Sequence, residues 1–232
     1  MVQVKHNMDS DLLSNYPNLS LNKKEIGYEI IDNENNMKLT LSFDDYNNVI
    51  AECKKHPLNK ILKGTSLNIL DCTCGFSRDA AIMQALGNSV TSIEENPFVM
   101  ALVIEAKNRI NNNYTKSIYD KITFRLGNSL DFIRNTNKSF DYLYFDFMFN
   151  VNKSSLPSKK EQFLKKIVRN NLIKNINIIK ETVQRVSSKI IIKEYIHSSD
   201  YNYFDIINTY KEKTVKYHLV QGNHEHQGLH CQ

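Results

Sequence analysis

Apolar and polar positions change period along this chain, and the changes divide it. Residues 26–31 and 37–43 are short strand-like runs, the second strictly alternating, with turn-forming Asp32-Asn33-Glu34-Asn35-Asn36 between them. Together they predict a β-hairpin. Asp44-Asp45 caps a predicted helix that runs to about residue 55 and is stopped by His56-Pro57. A helical piece over 58–63 then leads through Gly64 into the next apolar run. Residues 1–24, ahead of the hairpin, are polar and unpatterned, as expected of a loose segment or a sheet edge.

From Ser66 the pattern alternates strand and helix. Strands are predicted over 67–72, 89–93, 122–126, 142–146 and 189–193, and helices over 78–86, 98–111, 129–133 and 174–186. Strands separated by crossover helices imply a mainly parallel sheet. Residues 200–210 read as a last helix and 214–220 as a last strand, which can enter antiparallel through the shorter connection before it. The expected fold class is α/β, a Rossmann-like sheet over residues 65–232. A small α+β extension containing the hairpin occupies 1–64. No internal repeat is visible.

Composition narrows this only slightly. Hydrophobic residues make up 41%, enough for a core, and the net charge of +5 permits a polyanionic partner without requiring one. The chain has no run of about 18 apolar residues, and its start has no apolar signal core. No membrane contact is therefore expected, and a cytoplasmic location with reduced cysteines is. Cys72 and Cys74 are too close for a metal knuckle and no second pair follows. The tail His224-Glu225-His226…His230-Cys231 has ligand types, but in a terminal, polar setting where disorder is the default. No metal is expected. The pattern leaves the oligomeric state open.

The chemistry gathers where strands end. The run Leu67-Asn68-Ile69-Leu70-Asp71 is followed by the small-residue turn Cys72-Thr73-Cys74-Gly75-Phe76-Ser77 and a helix opening on Arg78-Asp79; the next strand closes on Glu94-Glu95. Strand, tight turn, helix, strand, acid is the grammar of a nucleotide-type cofactor site. Glu94 suits a ribose diol, since a carboxylate accepts from both hydroxyls. Gly75 allows a close backbone approach. One glycine is too few for a dinucleotide fingerprint, which argues against a dehydrogenase and favours a cofactor without a pyrophosphate, such as S-adenosylmethionine. Arg78 and Asp79 either cap the helix, with Ser77 as N-cap, or face the methionine part of that cofactor. Asn128-Ser129 either N-cap the next helix or contact adenine.

Tyr144-Phe145-Asp146-Phe147-Met148-Phe149 places an acid at another strand tip. Asp-x-x-aromatic there resembles the Asp/Asn-Pro-Pro-aromatic signature of amino-group methyltransferases. An exocyclic amine is a poor nucleophile because its lone pair is delocalised. A carboxylate accepting its N–H sharpens and aims that pair, and an aromatic ring stacks on the base. Asp146 is the candidate acceptor and Phe149 the candidate ring; a core aromatic cluster with a capping acid is the other reading. The lysine-rich stretch after it, with Lys153, Lys159, Lys160, Lys165, Lys166 and Arg169, either meets RNA phosphates or is a solvated face.

Taken jointly, Asp71-Cys-Thr-Cys-Gly-Phe-Ser-Arg78-Asp79, Glu94-Glu-Asn-Pro-Phe-Val-Met-Ala-Leu102, Asp146-Phe-Met-Phe-Asn150 and the following Lys153-Ser-Ser-Leu and Lys159-Lys-Glu161 resemble the RsmJ type of small-subunit ribosomal RNA guanine-N2 methyltransferases. The resemblance extends from about Gly27 to Lys193. It implies a class I methyltransferase fold, S-adenosylmethionine as cofactor, small-subunit ribosomal RNA as partner, and cofactor contacts at Arg78-Asp79, Glu94-Glu95, Asn128-Ser129 and Asp146. The chain departs from the family at Phe147 (usually Pro), Ser77 (usually Gly) and Asn128 (usually Ser). The family's glycine- and arginine-rich segment before the first sheet strand is also not recognisable. Methyl transfer to an amine of another RNA, DNA or protein, and a non-catalytic RNA-binding relative, are the competing expectations.

Overall fold

The computed structural model describes residues 15–25, 27–63, 66–147, 162–164, 167 and 171–223. Phe149, the named basic residues from Lys153 to Arg169 and the His-rich tail lie outside them. The chain builds two sheets. The small one is antiparallel, β1 (Leu19–Lys24), β2 (Gly27–Asp32) and β3 (Met37–Thr40). The predicted hairpin is β2–β3, and β1 adds an edge to it. Its turn is closed by buried Asp32, which accepts from the backbone N–H groups of Glu34 and Asn35.

The predicted helix over 44–55 is broken. A 3-10 turn (Asp44–Tyr46), the short helix α1 (Asn47–Ala51) and another 3-10 turn (Cys53–Lys55) replace it. Asp44 does not cap its own helix; its carboxylate accepts instead from Asn111 and Asn112, far along the chain. After α2 (Pro57–Ile61) comes the large sheet, in the order β6-β5-β4-β7-β8-β10-β9. Its strands are β4 (Asn68–Asp71), β5 (Ser89–Glu94), β6 (Thr123–Leu126), β7 (Tyr142–Phe145), β8 (Lys189–Tyr195), β9 (Ile206–Lys211) and β10 (Val215–Gln221). The first five are parallel; β10 pairs antiparallel with β8 and β9, as expected for a late strand.

The helices α3 (Arg78–Ala85), α4 (Pro97–Asn108), α6 (Ser129–Asn135) and α7 (Leu172–Arg185) fall where the periodicity puts them, to within a few residues. An unpredicted helix, α5 (Asn113–Tyr119), is N-capped by Asn112, which accepts from Thr115 N–H at 2.9 Å. The predicted helix over 200–210 is overturned: a turn precedes β9. Asn, Thr, Tyr and Ile are weak helix formers, and the open side of β10 offers that segment a ladder of hydrogen bonds.

Alternation along the strands divides the core between the two faces of the large sheet. On one face Ile69, Val90 and Ile191 join Ala80 and Leu102 and continue into Leu39, Leu41, Phe43, Ile50 and Leu58 of the front elements. On the other, Leu70, Leu143, Phe145, Ile190 and Ile192 pack with Ile178, Ile179 and Tyr201. The front is thus keyed into the same core. Phe43 stacks on Tyr119 of α5 with ring centroids 3.9 Å apart. Gly27, at φ +126°, lies where the small sheet meets α4, and a side chain there would displace those of Arg109 and Glu105. Among the described residues no helix is long and apolar enough to cross a membrane.

Candidate active site

Strand order reverses at β4, between β5 and β7, and the crevice at the carboxyl ends of such strands is where open α/β sheets bind ligands. The apolar runs of β4 and β5 end there on Asp71 and Glu94, and Asp146 follows the end of β7 directly.

Asp71 is 2% exposed. Its carboxylate accepts from the Ser92 hydroxyl at 2.6 Å and from Thr73 N–H at 3.1 Å, which turns the chain into the following loop. Burial pushes its pKa up to about 7, against those hydrogen bonds. Glu94 grips the same loop from the next strand. Its two oxygens accept from Gly75 N–H and Asn96 N–H, each at 2.9 Å. Burial raises it too, to about 7. Gly75 has φ +50°, and a Cβ added to it would meet nothing nearer than the Thr73 carbonyl at 3.9 Å, so the loop presents an open face. Cys72 and Cys74 are buried, and burial holds their thiols well above the ordinary range, which disfavours the thiolate a nucleophile needs.

Ser77 occupies the N-cap position of α3, as expected, but makes no side-chain cap. Its φ of +57° lies in the left-handed region. That geometry accounts for the glycine the RsmJ type usually carries here. Tyr119 donates its hydroxyl to the Ser77 carbonyl at 3.3 Å, so the Phe43–Tyr119 stack supports the loop from behind.

Across the crevice, Lys193 of β8, one residue past the last pair with β7, donates to Asp79 Oδ2 at 2.7 Å and to Asp146 Oδ2 at 2.8 Å. Tyr144 donates its hydroxyl to the same Asp79 oxygen, and Thr73 Oγ1 accepts from Asp146 N–H at 2.7 Å. Burial opposes ionisation of Asp79, but the Lys193 ammonium and the Tyr144 hydroxyl outweigh it and hold the carboxyl well below its usual range. Asp146 lies above its ordinary value, because burial and the nearby Asp79 outweigh its share of the lysine. Lys193 itself is raised: the two carboxylates overcome its desolvation. Arg78 is exposed at the head of α3.

Asn128 and Glu95 form a separate, more exposed edge. Asn128 N-caps α6, accepting from Leu130 and Asp131 N–H, and its amide donates to Glu95 at 3.0 Å. Glu95 also pairs with Lys174 of α7 at 3.4 Å. Ser129 is buried behind them. A cavity of about 550 Å³ opens between α6 and α7 and meets this edge at Asn128. Among the described residues, no group of three or more His, Cys, Asp or Glu is arranged to hold a metal ion.

The structure thus brings Asp71, Gly75 and Glu94 into one loop clamp, Asp79 and Asp146 onto one lysine, and Glu95 and Asn128 into a neighbouring pair. Sequence reasoning did not single out Lys193, Tyr144 or Thr73 as site residues. Lys193 carried the same signal as the acids, a polar residue closing an apolar run. Tyr144 carried none, since an aromatic inside a strand reads as core.

Comparison with known proteins agrees with this fold. Residues 5–219 match the family described as "Putative SAM-dependent methyltransferase". The ribosomal RNA small subunit methyltransferase J of Francisella tularensis subsp. novicida is 32% identical over 173 residues, covering 71% of this chain and 72% of that protein. The protein of the same name from Francisella philomiragia is 30% identical over 162 residues, 65% of this chain and 68% of its own length. The crystal structure of the SAM-dependent methyltransferase NGO1261 from Neisseria gonorrhoeae shares the fold, with a TM-score of 0.67, 16% identity and coverage of 94% and 93% of the two chains. With its class I sheet, the matching family model and these relatives, the chain belongs to the S-adenosylmethionine-dependent methyltransferases, in the ribosomal RNA small subunit methyltransferase J family.

Proposed function

We propose that this enzyme methylates the exocyclic N2 of a guanine in 16S ribosomal RNA, acting on the RNA or the small subunit in the cytoplasm. When bound, S-adenosylmethionine supplies a methyl group activated by its sulfonium. The residues fit that group. Glu94 keeps lone pairs free beyond its two backbone donors and would accept from the ribose hydroxyls. Gly75 leaves room above the loop. Asp79 would meet the ammonium and Arg78 the carboxylate of the methionine end. Glu95, Asn128 and Ser129 would border the adenine. Asp71 would act from behind, by shaping the loop.

Asp146 would accept an N–H of the target amine and aim its lone pair, and Phe149 would stack on the base. The carrying observation is the pairing of Asp79 and Asp146 on one half-buried ammonium at the switch point, beside the Gly75–Glu94 clamp. Two carboxylates against one lysine leave a unit of negative charge where a cationic cofactor would lie. Catalysis would come from positioning, with no covalent intermediate. In this reading residues 65–232 form the methyltransferase domain and 1–64 a small α+β extension.

The test is ribosomal RNA from a strain lacking the gene. One small-subunit guanine should lack its N2-methyl and regain it with the wild-type gene but not with Asp146→Ala. Normal modification in the deletion strain refutes the assignment, and transfer to duplex DNA in preference to RNA moves the substrate class.

A further inference from the structure

Lys193 stands one residue beyond the last β7–β8 register pair, Phe145 with Ile192, and directly across β10 from Tyr217. The run before it, Ile190-Ile191-Ile192, is fully buried, so the strand delivers an ammonium to the crevice on a rigid stem. Its side chain is 16% exposed, between Asp79 at 12% and Asp146 at 30%. The backbone of Asp146 is fixed by Thr73, but among the described residues its carboxylate is held by Lys193.

We propose that Lys193 is a positioning residue that keeps Asp146 ionised and aimed, so that the target amine meets a carboxylate rather than a carboxylic acid. The proposal rests on Asp146 being the amine's acceptor. Its physical basis is the sharing of one ammonium. Without that cation, Asp79 and Asp146 become adjacent like charges in a half-buried site, and such a pair retains a proton. Asp79 still has the Tyr144 hydroxyl, so the proton goes to Asp146. A protonated Asp146 loses acceptor capacity at one oxygen and no longer draws on the amine N–H with a full charge.

The other groups acting on this cluster come from every side. Asp71 at the end of β4 adds negative charge, and Arg78 of α3 adds positive charge near Asp146. His56, before α2, lies within electrostatic reach of Asp79 and Lys193, and burial keeps it towards the neutral form. Tyr217 of β10 is pushed above the working pH range by burial. None of these replaces an ammonium in hydrogen-bond contact with both acids.

The experiment measures single-turnover methyl transfer at saturating cofactor across about pH 6 to pH 8.5, on small subunits from the deletion strain. Wild type, Lys193→Met, Lys193→Arg and Asp146→Ala are compared. Lys193→Met should be most impaired at the acid end, its rate relative to wild type recovering by about tenfold per pH unit below the new carboxyl pKa. Lys193→Arg should keep the wild-type profile at a lower rate. If Lys193→Met does not fold, as judged by its thermal melt, Lys193→Gln is measured in its place. An equal loss at every pH overturns the proposal, because a merely structural lysine gives that. Activity retained in Asp146→Ala instead overturns the reading of Asp146 on which it rests.

Discussion

Asp71→Asn separates the electrostatic burden of the site from its shape. The Asp71 carboxylate is 2% exposed and holds the Ser92 hydroxyl and the Thr73 N–H. Asparagine can keep both bonds: its carbonyl accepts from Thr73, and its amide donates to the Ser92 oxygen. What changes is the charge. Burial raises the folded pKa to about 7 from an ordinary 3.8. A carboxyl raised in the folded state binds its proton more tightly there than when unfolded. Below the unfolded pKa both states are protonated and the group is silent. As pH climbs, the unfolded chain ionises first and gains, so stability falls until the folded pKa is passed. Between about pH 5 and pH 8 the loss amounts to about 2–3 kcal/mol. Urea unfolding of the cofactor-free protein at intervals across that range should therefore show wild type losing about 2–3 kcal/mol more than Asp71→Asn. The variant should compare best at the alkaline end. A difference between the two proteins that does not change with pH would show that the Asp71 carboxyl titrates alike in the folded and unfolded chain and would refute the reasoning.

Three further outcomes test other parts of the structure. Glu94→Gln leaves one acceptor for two backbone donors, Gly75 and Asn96 N–H; calorimetry should find S-adenosylmethionine binding weakened about tenfold or more, and unchanged affinity would remove Glu94 from the site. Phe43→Ala empties the stack on Tyr119 and should cost about 3–5 kcal/mol by denaturant unfolding, whereas a loss under about 1 kcal/mol would mean the front elements are dispensable to the core. Ser77→Gly relieves a left-handed backbone at a buried position and should raise stability by about 1 kcal/mol in the same assay, with a decrease counting against the strain.

The gathering of the acids in one crevice was legible because its signal is local. Asp71, Glu94 and Asp146 each close an apolar run, and strand alternation with crossover helices brings such tips to one edge of a parallel sheet. What was not legible depends on contacts distant in sequence. Asp44 reads as a helix cap, yet it bonds to Asn111 and Asn112. His56-Pro57 reads as a helix stop. It is one, but the same histidine also caps α2 by accepting from Leu58 N–H, and its ring lies edge-on to Tyr217 beside the site. The helix expected over 200–210 failed because periodicity cannot register that β10 has an open side. Lys193 was visible as a strand-end residue, but its role depends on two acids 114 and 47 residues away.

The β8 strand also explains why the late antiparallel strand matters to the site. Were β8 an edge, Lys193 would be solvated and its hold on two carboxylates screened. β10 covers it, and the two strands bury a second charged group on the opposite face. Glu194 is fully buried; its Oε1 accepts from the Ser198 hydroxyl and the Asp200 N–H, and its Oε2 meets Lys216 and His218. Those hydrogen bonds outweigh its desolvation and hold it near pKa 2. Adjacent residues of one strand thus anchor opposite faces. Lys193 gathers the acids of the crevice, while Glu194 ties down the turn at 198–200 that leads away from it. Buried ion pairs are weak sources of stability, because desolvation consumes most of the attraction. Their worth here is geometric. Removing Lys216 or His218 would loosen the turn, whereas removing Lys193 would change the charge state of the crevice itself. Only the second should change the pH dependence of methyl transfer.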